Sequence, residues 1–125
     1  MMSKVLIIDD SGVMRKIIQR NIVQAGLLVD QFLEAGDGKE GLEKVGQNND
    51  LNLILCDWNM PNMTGIEFVK ALRSSDKNTP IVMITTEGGE SKTEEAKNSG
   101  ANGYLTKPFT TDQLLRKLGD YLLVK

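Results

Sequence analysis

The sequence predicts an α/β fold with a doubly wound, five-stranded parallel sheet, and three observations predict it. Apolar runs of strand length alternate with longer segments of helical period five times along the 125 residues, the pattern of βαβ units. The runs at 5–8, 51–56 and 81–84 are nearly continuous in Val, Ile, Leu and Met, as strands covered on both faces must be. The runs at 31–35 and 102–106 are shorter in apolar content and mixed, which suits the two edges of the sheet.

Each element then follows in order. Val5-Leu6-Ile7-Ile8 is a central strand ending at Asp9 and Asp10. A helix follows Asp10-Ser11-Gly12, turns Met14, Ile17, Ile18, Ile22 and Ala25 inward, and stops near Gly26. After the strand at 31–35, Asp37 with Glu40 offers a loose helix cap. The run at 51–56 ends at Asp57, and Thr64 with Glu67 forms a capping-box pattern, in which two orphan backbone donors are satisfied reciprocally. The run at 81–84 ends at Thr85, and Ser91 with Glu94 repeats the capping pattern. Between Ser91 and Asn98 only Ala96 is apolar, and Gly88-Gly89 precede it, so this helix is expected to be weakly held. The last strand, at 102–106, ends at Lys107. Thr110 with Gln113 then caps a helix that sets Leu114, Leu118, Tyr121 and Leu122 on one face. Strands of this kind fit the flavodoxin-like (βα)5 order 2-1-3-4-5, with the second and fifth strands outermost.

Bulk properties narrow the function. One domain, 1–125, is expected, since this length buries one core and leaves no room for a second. A net charge of -2 and a pI near 5.2 lack the basic footprint of a nucleic-acid binder. No apolar run reaches membrane-spanning length and the amino terminus leads straight into a strand, so a cytoplasmic protein with no membrane partner is expected. Cys56, within an apolar run, reads as a buried structural thiol.

Candidate chemistry collects where the apolar runs end: Asp9, Asp10, Asp57, Thr85 and Lys107. In an open parallel sheet the carboxyl ends of the strands share one edge, and ligands bind there. Crowded carboxylates disfavour one another's ionisation unless a cation or hydrogen bonds compensate. Three carboxylates, one lysine and one divalent cation cancel, and an all-oxygen donor set favours Mg²⁺, which keeps waters and phosphate oxygens in its shell. Such a site would neutralise a transferring phosphoryl group, with Thr85 donating to one of its oxygens and an Asp carboxylate as nucleophile forming an aspartyl phosphate. Singly, each residue has an ordinary explanation: Asp10 as a helix cap, Thr85 as a strand end, Lys107-Pro108 as a turn, Trp58 as core. Their joint occurrence at the ends of four of the five strands argues against that.

At these residues the chain resembles response-regulator receiver domains over essentially its full length. The matching segments are Val5 through Ser11, Asp57-Trp58-Asn59-Met60-Pro61-Asn62-Met63, Thr85-Thr86-Glu87 and Gly103 through Phe109. Trp58, Asn59 and Glu87 look like the chemotaxis subgroup. The resemblance implies that Asp57 accepts a phosphoryl group from a sensor histidine kinase, and that Asp10, Asp57 and the backbone carbonyl of Asn59 bind Mg²⁺ with Asp9 contributing through water. It further implies that Lys107 pairs with the phosphoryl oxygens and that Thr85 moves toward them, allowing Tyr104 to turn inward. Asn59 and Glu87 would tune access of attacking water, and Lys107-Pro108 is a candidate cis peptide. The implied partners are a chemotaxis-type kinase, a flagellar motor switch protein and a phosphatase. The implied protein is a monomeric switch that catalyses only its own phosphorylation and dephosphorylation, not an enzyme with turnover.

Three departures stand out. Thr64 replaces the family's common Asp after Met-Pro, Thr86 is bulkier than the usual small residue beside the hydroxyl, and Gly88-Gly89-Glu90 is less basic than is common there. Other functions share parts of this pattern. A relay intermediate would pass the phosphoryl group to another histidine protein. A Mg²⁺-dependent phosphatase of the haloacid dehalogenase type would want an acid/base Asp two residues after its nucleophile, where this chain has Asn59. A flavin module would have its cofactor phosphate repelled by Asp9 and Asp10.

Overall fold

The computed structural model describes residues 3–86 and 88–124. Five parallel strands, β1 (Lys4–Ile8), β2 (Gln31–Ala35), β3 (Leu53–Asp57), β4 (Ile81–Thr85) and β5 (Gly103–Thr106), alternate with five helices. These are α1 (Gly12–Gln24), α2 (Gly38–Gln47), α3 (Gly65–Arg73), α4 (Glu90–Ser99) and α5 (Thr111–Leu118). The strand order is β2-β1-β3-β4-β5, as the sequence predicts.

Alternation along the strands builds two cores. Val5, Ile7, Leu53, Leu55, Val82 and Ile84 face Ile18 and Ile22 of α1 and Leu114 and Leu118 of α5. Leu6, Ile8, Ile54, Cys56 and Met83 face Phe68, Val69 and Leu72 of α3, Ala96 of α4 and the partly buried Leu42 and Val45 of α2. Both faces of the central strands are covered, which is why their sequences run apolar without a break. Close approach of α2 to the sheet depends on Gly41, where an added Cβ would stand 2.6 Å from Ile8 Cδ1 and 3.1 Å from Phe68 Cε1.

The caps at Thr64/Glu67 and Thr110/Gln113 are complete capping boxes. At α2, Asp37 accepts from the Glu40 N–H, while the Glu40 carboxylate accepts from Gly36 N–H rather than from the capping residue. Three expectations are corrected. Ser91 does not cap α4: the helix already begins at Glu90, entered through Gly89 at φ +125°, and no side chain satisfies its first donors. A glycine reaches that backbone conformation at little cost, so the chain turns into the helix before Ser91 is reached. Ile17 is 40% exposed, because α1 covers the sheet with Ile18 and Ile22 and leaves Ile17 at the flank. Tyr121 and Leu122 lie beyond α5, which stops at Leu118 with Gly119 as its cap, though Leu122 is still buried in the α1/α5 core. As expected, Ala96 is the one buried residue of α4.

Candidate functional site

Strand order places the site. Connections from β1 and β3 leave in opposite directions where these strands are neighbours, opening a crevice beyond their carboxyl ends. Asp9 follows β1 and Asp57 ends β3, so both stand at that crevice. Thr85 ends the adjoining β4 and Lys107 follows β5.

The carboxylates converge. Asp9, Asp10 and Asp57 each offer an oxygen lying within 4.8 Å of the others. Asp9 is buried: its N–H extends the β1–β2 ladder to Ala35 O at 3.1 Å, and its Oδ1 accepts from Ser11 N–H at 2.9 Å. Asp10 is exposed and leads into Ser11, whose hydroxyl caps α1 by accepting from Met14 N–H at 3.1 Å. Lys107 Nζ reaches Asp9 Oδ2 at 3.4 Å and Asp57 Oδ1 at 3.5 Å. Both contacts are longer than the roughly 2.7–2.9 Å of a tight charge-assisted bond, so one ammonium is shared loosely among surplus anions. The consequence falls on Asp57, whose carboxyl is pushed up to about 6 by burial first and by the Asp9 charge second, against the lowering pull of Lys107. This is the donor set and charge deficit that a hard divalent cation fits.

Backbone packing fixes Asp57 in place. Trp58 N–H donates to Ile84 O at 3.0 Å, and Trp58 O accepts from Gly65 N–H at 2.8 Å, so the first residue of α3 is bonded directly behind Asp57. A side chain at Gly65 would strike the Asp57 carbonyl oxygen and approach Met83 Cε at 2.6 Å. Thr64 supplies the cap at this helix start, its hydroxyl accepting from Glu67 N–H at 3.2 Å. Lys107 N–H donates to Thr85 O at 2.6 Å, joining the hydroxyl and lysine strands across the rim. Lys107-Pro108 is cis, as expected.

Trp58 connects Asp57 to its surroundings. It is buried, meets Tyr104 edge-on with ring centroids 6.2 Å apart, and is covered by Lys92 Nζ of α4 at 4.5 Å from its ring centroid. Tyr104 is half-buried and pairs in register with Met83, two residues before Thr85, so Thr85 and Tyr104 project on the same sheet face. Asn59 is exposed in the loop after β3, and Thr86 is exposed beside Thr85. Glu87 lies outside the described residues. The Cys56 thiol is fully buried and pushed up by burial, which keeps it protonated and inert.

Spacing did not single out Arg15 or Lys92. Both act by folding back over neighbouring elements: Arg15 bonds the Asp9 carbonyl and Glu34 of β2, and Lys92 lies over Trp58. A helical Arg or Lys gives no sequence signal for such a contact. Among the described residues no helix is long and apolar enough to cross a membrane.

Comparison with known proteins agrees with this geometry. Residues 5–119 match the family model described as response regulator receiver domain. The chain is 42% identical over 121 residues to a chemotaxis protein CheY homolog of Campylobacter jejuni, covering 95% of this chain and 92% of that protein. It is 44% identical over 117 residues to chemotaxis protein CheY1 of Helicobacter pylori, covering 92% and 93%. The structure of chemotaxis protein CheY4 of Vibrio cholerae superposes with a TM-score of 0.84 at 43% identity, covering 98% of this chain and all of that one.

Proposed function

From the premise that this chain belongs to the response-regulator receiver family, we propose that it is a chemotaxis phosphorylation switch, phosphorylated on Asp57 by a sensor histidine kinase and read by a flagellar motor switch protein. One observation carries the phosphorylation at Asp57: three carboxylate oxygens within 4.8 Å of one another at the β1/β3 crevice, with the Lys107 ammonium at 3.4–3.5 Å from two of these residues; the chemotaxis readout is supported by the similarity to chemotaxis regulators.

Asp10, Asp57 and the main-chain carbonyl of Asn59 would hold Mg²⁺, with Asp9 contributing through water. The ion would supply positive charge to the phosphoryl oxygens and keep Asp57 ionised at neutral pH. An ionised Asp57 oxygen attacks phosphorus, the phosphorus–nitrogen bond of the phosphohistidine breaks, and the imidazole leaves with that electron pair and takes up a proton. Lys107 pairs with the phosphoryl oxygens and Thr85 donates its hydroxyl to one of them. That draws Thr85 toward the crevice and frees space on the face it shares with Tyr104. Asn59 in the loop after β3 would regulate the approach of attacking water and so set the lifetime of the modified state, as would a partner phosphatase; the family resemblance gives Glu87 the same role.

The readout surface is the face of α4, β5 and α5. Weak anchoring makes α4 the movable part: one buried side chain, no side-chain cap and two glycines before it. The protein works as a cytoplasmic monomer that modifies itself and turns over no separate substrate. Incubation with Mg²⁺ and a small acyl phosphate is expected to add one phosphate by intact mass, and none to Asp57→Asn. Unchanged mass of the native protein, equal labelling of the variant, or rapid loss of label to a histidine phosphotransfer protein instead of motor binding would each overturn part of the assignment.

A further inference from the structure

The turn carrying Asp9 and Asp10 is held from behind by one guanidinium. Arg15, in the first turn of α1, donates from Nη1 to the main-chain carbonyl of Asp9 at 2.6 Å and from Nε to Glu34 Oε1 at 2.8 Å. Glu34 is in turn bonded by Lys16 Nζ at 2.7 Å. The fork packs closely over Gly12, where an added Cβ would stand 3.3 Å from Arg15 Nη2. The carbonyl that Arg15 grips belongs to the peptide linking the two acidic residues. That peptide is thus fixed at its oxygen by α1 and, one residue earlier, by the Asp9 N–H bond to Ala35.

We propose that Arg15 is a positioning residue for the divalent-cation site, presetting the Asp9–Asp10 peptide so that both carboxylates face the crevice before the ion arrives. The inference rests on the Mg²⁺ assignment above. Arg15 touches no reacting atom; it acts through Asp9. Its planar fork bonds the carbonyl of Asp9, just past β1, and a β2 carboxylate at once, which the single ammonium of lysine does not reproduce. Outer-shell partners of this kind typically change metal affinity by about 10–100-fold when removed.

The test is Mg²⁺ titration calorimetry on the native protein, Arg15→Met and Arg15→Lys. Lys4→Met, which loses the Lys4–Asp50 pair at the opposite end of β1, serves as the control for general destabilisation. Arg15→Met is expected to weaken Mg²⁺ by about tenfold or more, with Arg15→Lys intermediate and Lys4→Met unchanged. At saturating Mg²⁺ the acyl-phosphate labelling rate of Arg15→Met returns to the native value. In EDTA the Asp10 and Ser11 amides of Arg15→Met exchange faster while the β3 amides do not. Equal Mg²⁺ affinity in Arg15→Met and native protein overturns the role, as does equal weakening in Lys4→Met. Should Arg15→Met fail to fold, Arg15→Lys decides: weaker binding supports the role and native binding overturns it. A native protein that binds no Mg²⁺ refutes the metal assignment itself, whereas a native protein that binds it alongside an unaffected Arg15→Met refutes only the role of Arg15.

Discussion

Removing the Asp57 charge should stabilise the metal-free protein. In the fold its carboxyl rises from 3.8 to about 6, so the charged form is disfavoured relative to the unfolded chain. At about 1.4 kcal/mol for each tenfold, that is ~3 kcal/mol at most. The direction of the pH dependence follows from linkage: the group favours folding while protonated, and that contribution is lost as pH rises through about 6. Asp57→Asn retains the size of the side chain without the charge, and the rise to about 6 is already net of the Lys107 attraction, so after solvent screening at the open crevice about 1–3 kcal/mol is the expected gain at pH 7.5. For a domain of this length that corresponds to a Tm rise of roughly 5–10 °C in EDTA. The gap should shrink to about a third at pH 4.5, where native Asp57 is largely protonated in the fold. Saturating Mg²⁺ should raise the Tm of the native protein more than that of the variant, closing the gap from the other side. Differential scanning calorimetry at both pH values, with and without Mg²⁺, measures all four numbers. A variant no more stable than native protein in EDTA at pH 7.5, or a gap that does not grow with pH, would refute the electrostatic argument.

Three other outcomes are expected. Gly65→Ala drives a methyl into the Asp57 carbonyl, a backbone atom that cannot swing aside; it should cost about 1–3 kcal/mol in urea unfolding and slow phosphate labelling of Asp57. Glu34 is held down to about 2, chiefly by its bond to Lys16 and, against the cost of burial, also by Arg15. Its folded value is depressed below 4.5, so its stabilisation is present above that pH and lost as pH falls toward 2. Glu34→Gln should therefore lower stability at pH 7, by about 1 kcal/mol after solvent screening at this partly exposed pair, and the difference should vanish near pH 2. Lys92→Met removes the cation over the ring of Trp58, the single tryptophan; about 0.5–1 kcal/mol and a change in Trp58 emission are expected, with unaltered emission counting against the contact.

Much of this was legible along the chain because local rules and the global fold agree. Continuous apolar runs marked β1, β3 and β4, mixed runs marked the edges, and polar residues at the run ends marked Asp9, Asp10, Asp57, Thr85 and Lys107. Thr64 and Thr110 announced their helices because a capping box is satisfied within four consecutive residues. Ser91 carried the same pattern and misled, since the backbone freedom of Gly89 let α4 start earlier and left the hydroxyl inside the helix. Ile17 misled because helical periodicity finds an apolar stripe but not how far its flank is covered.

What the amino-acid order determined alone was which residues fall at strand ends, because strand length and side-chain alternation are local properties. Only the tertiary structure decided how near they come, that Asp9 and Asp57 are buried while Asp10 is exposed, and that one lysine is shared between Asp9 and Asp57. It also decided that Arg15 braces the acidic turn and Lys92 covers Trp58. Such contacts join residues on different elements, and their distances are set by the packing of helices on a twisted sheet, a quantity no stretch of sequence holds by itself.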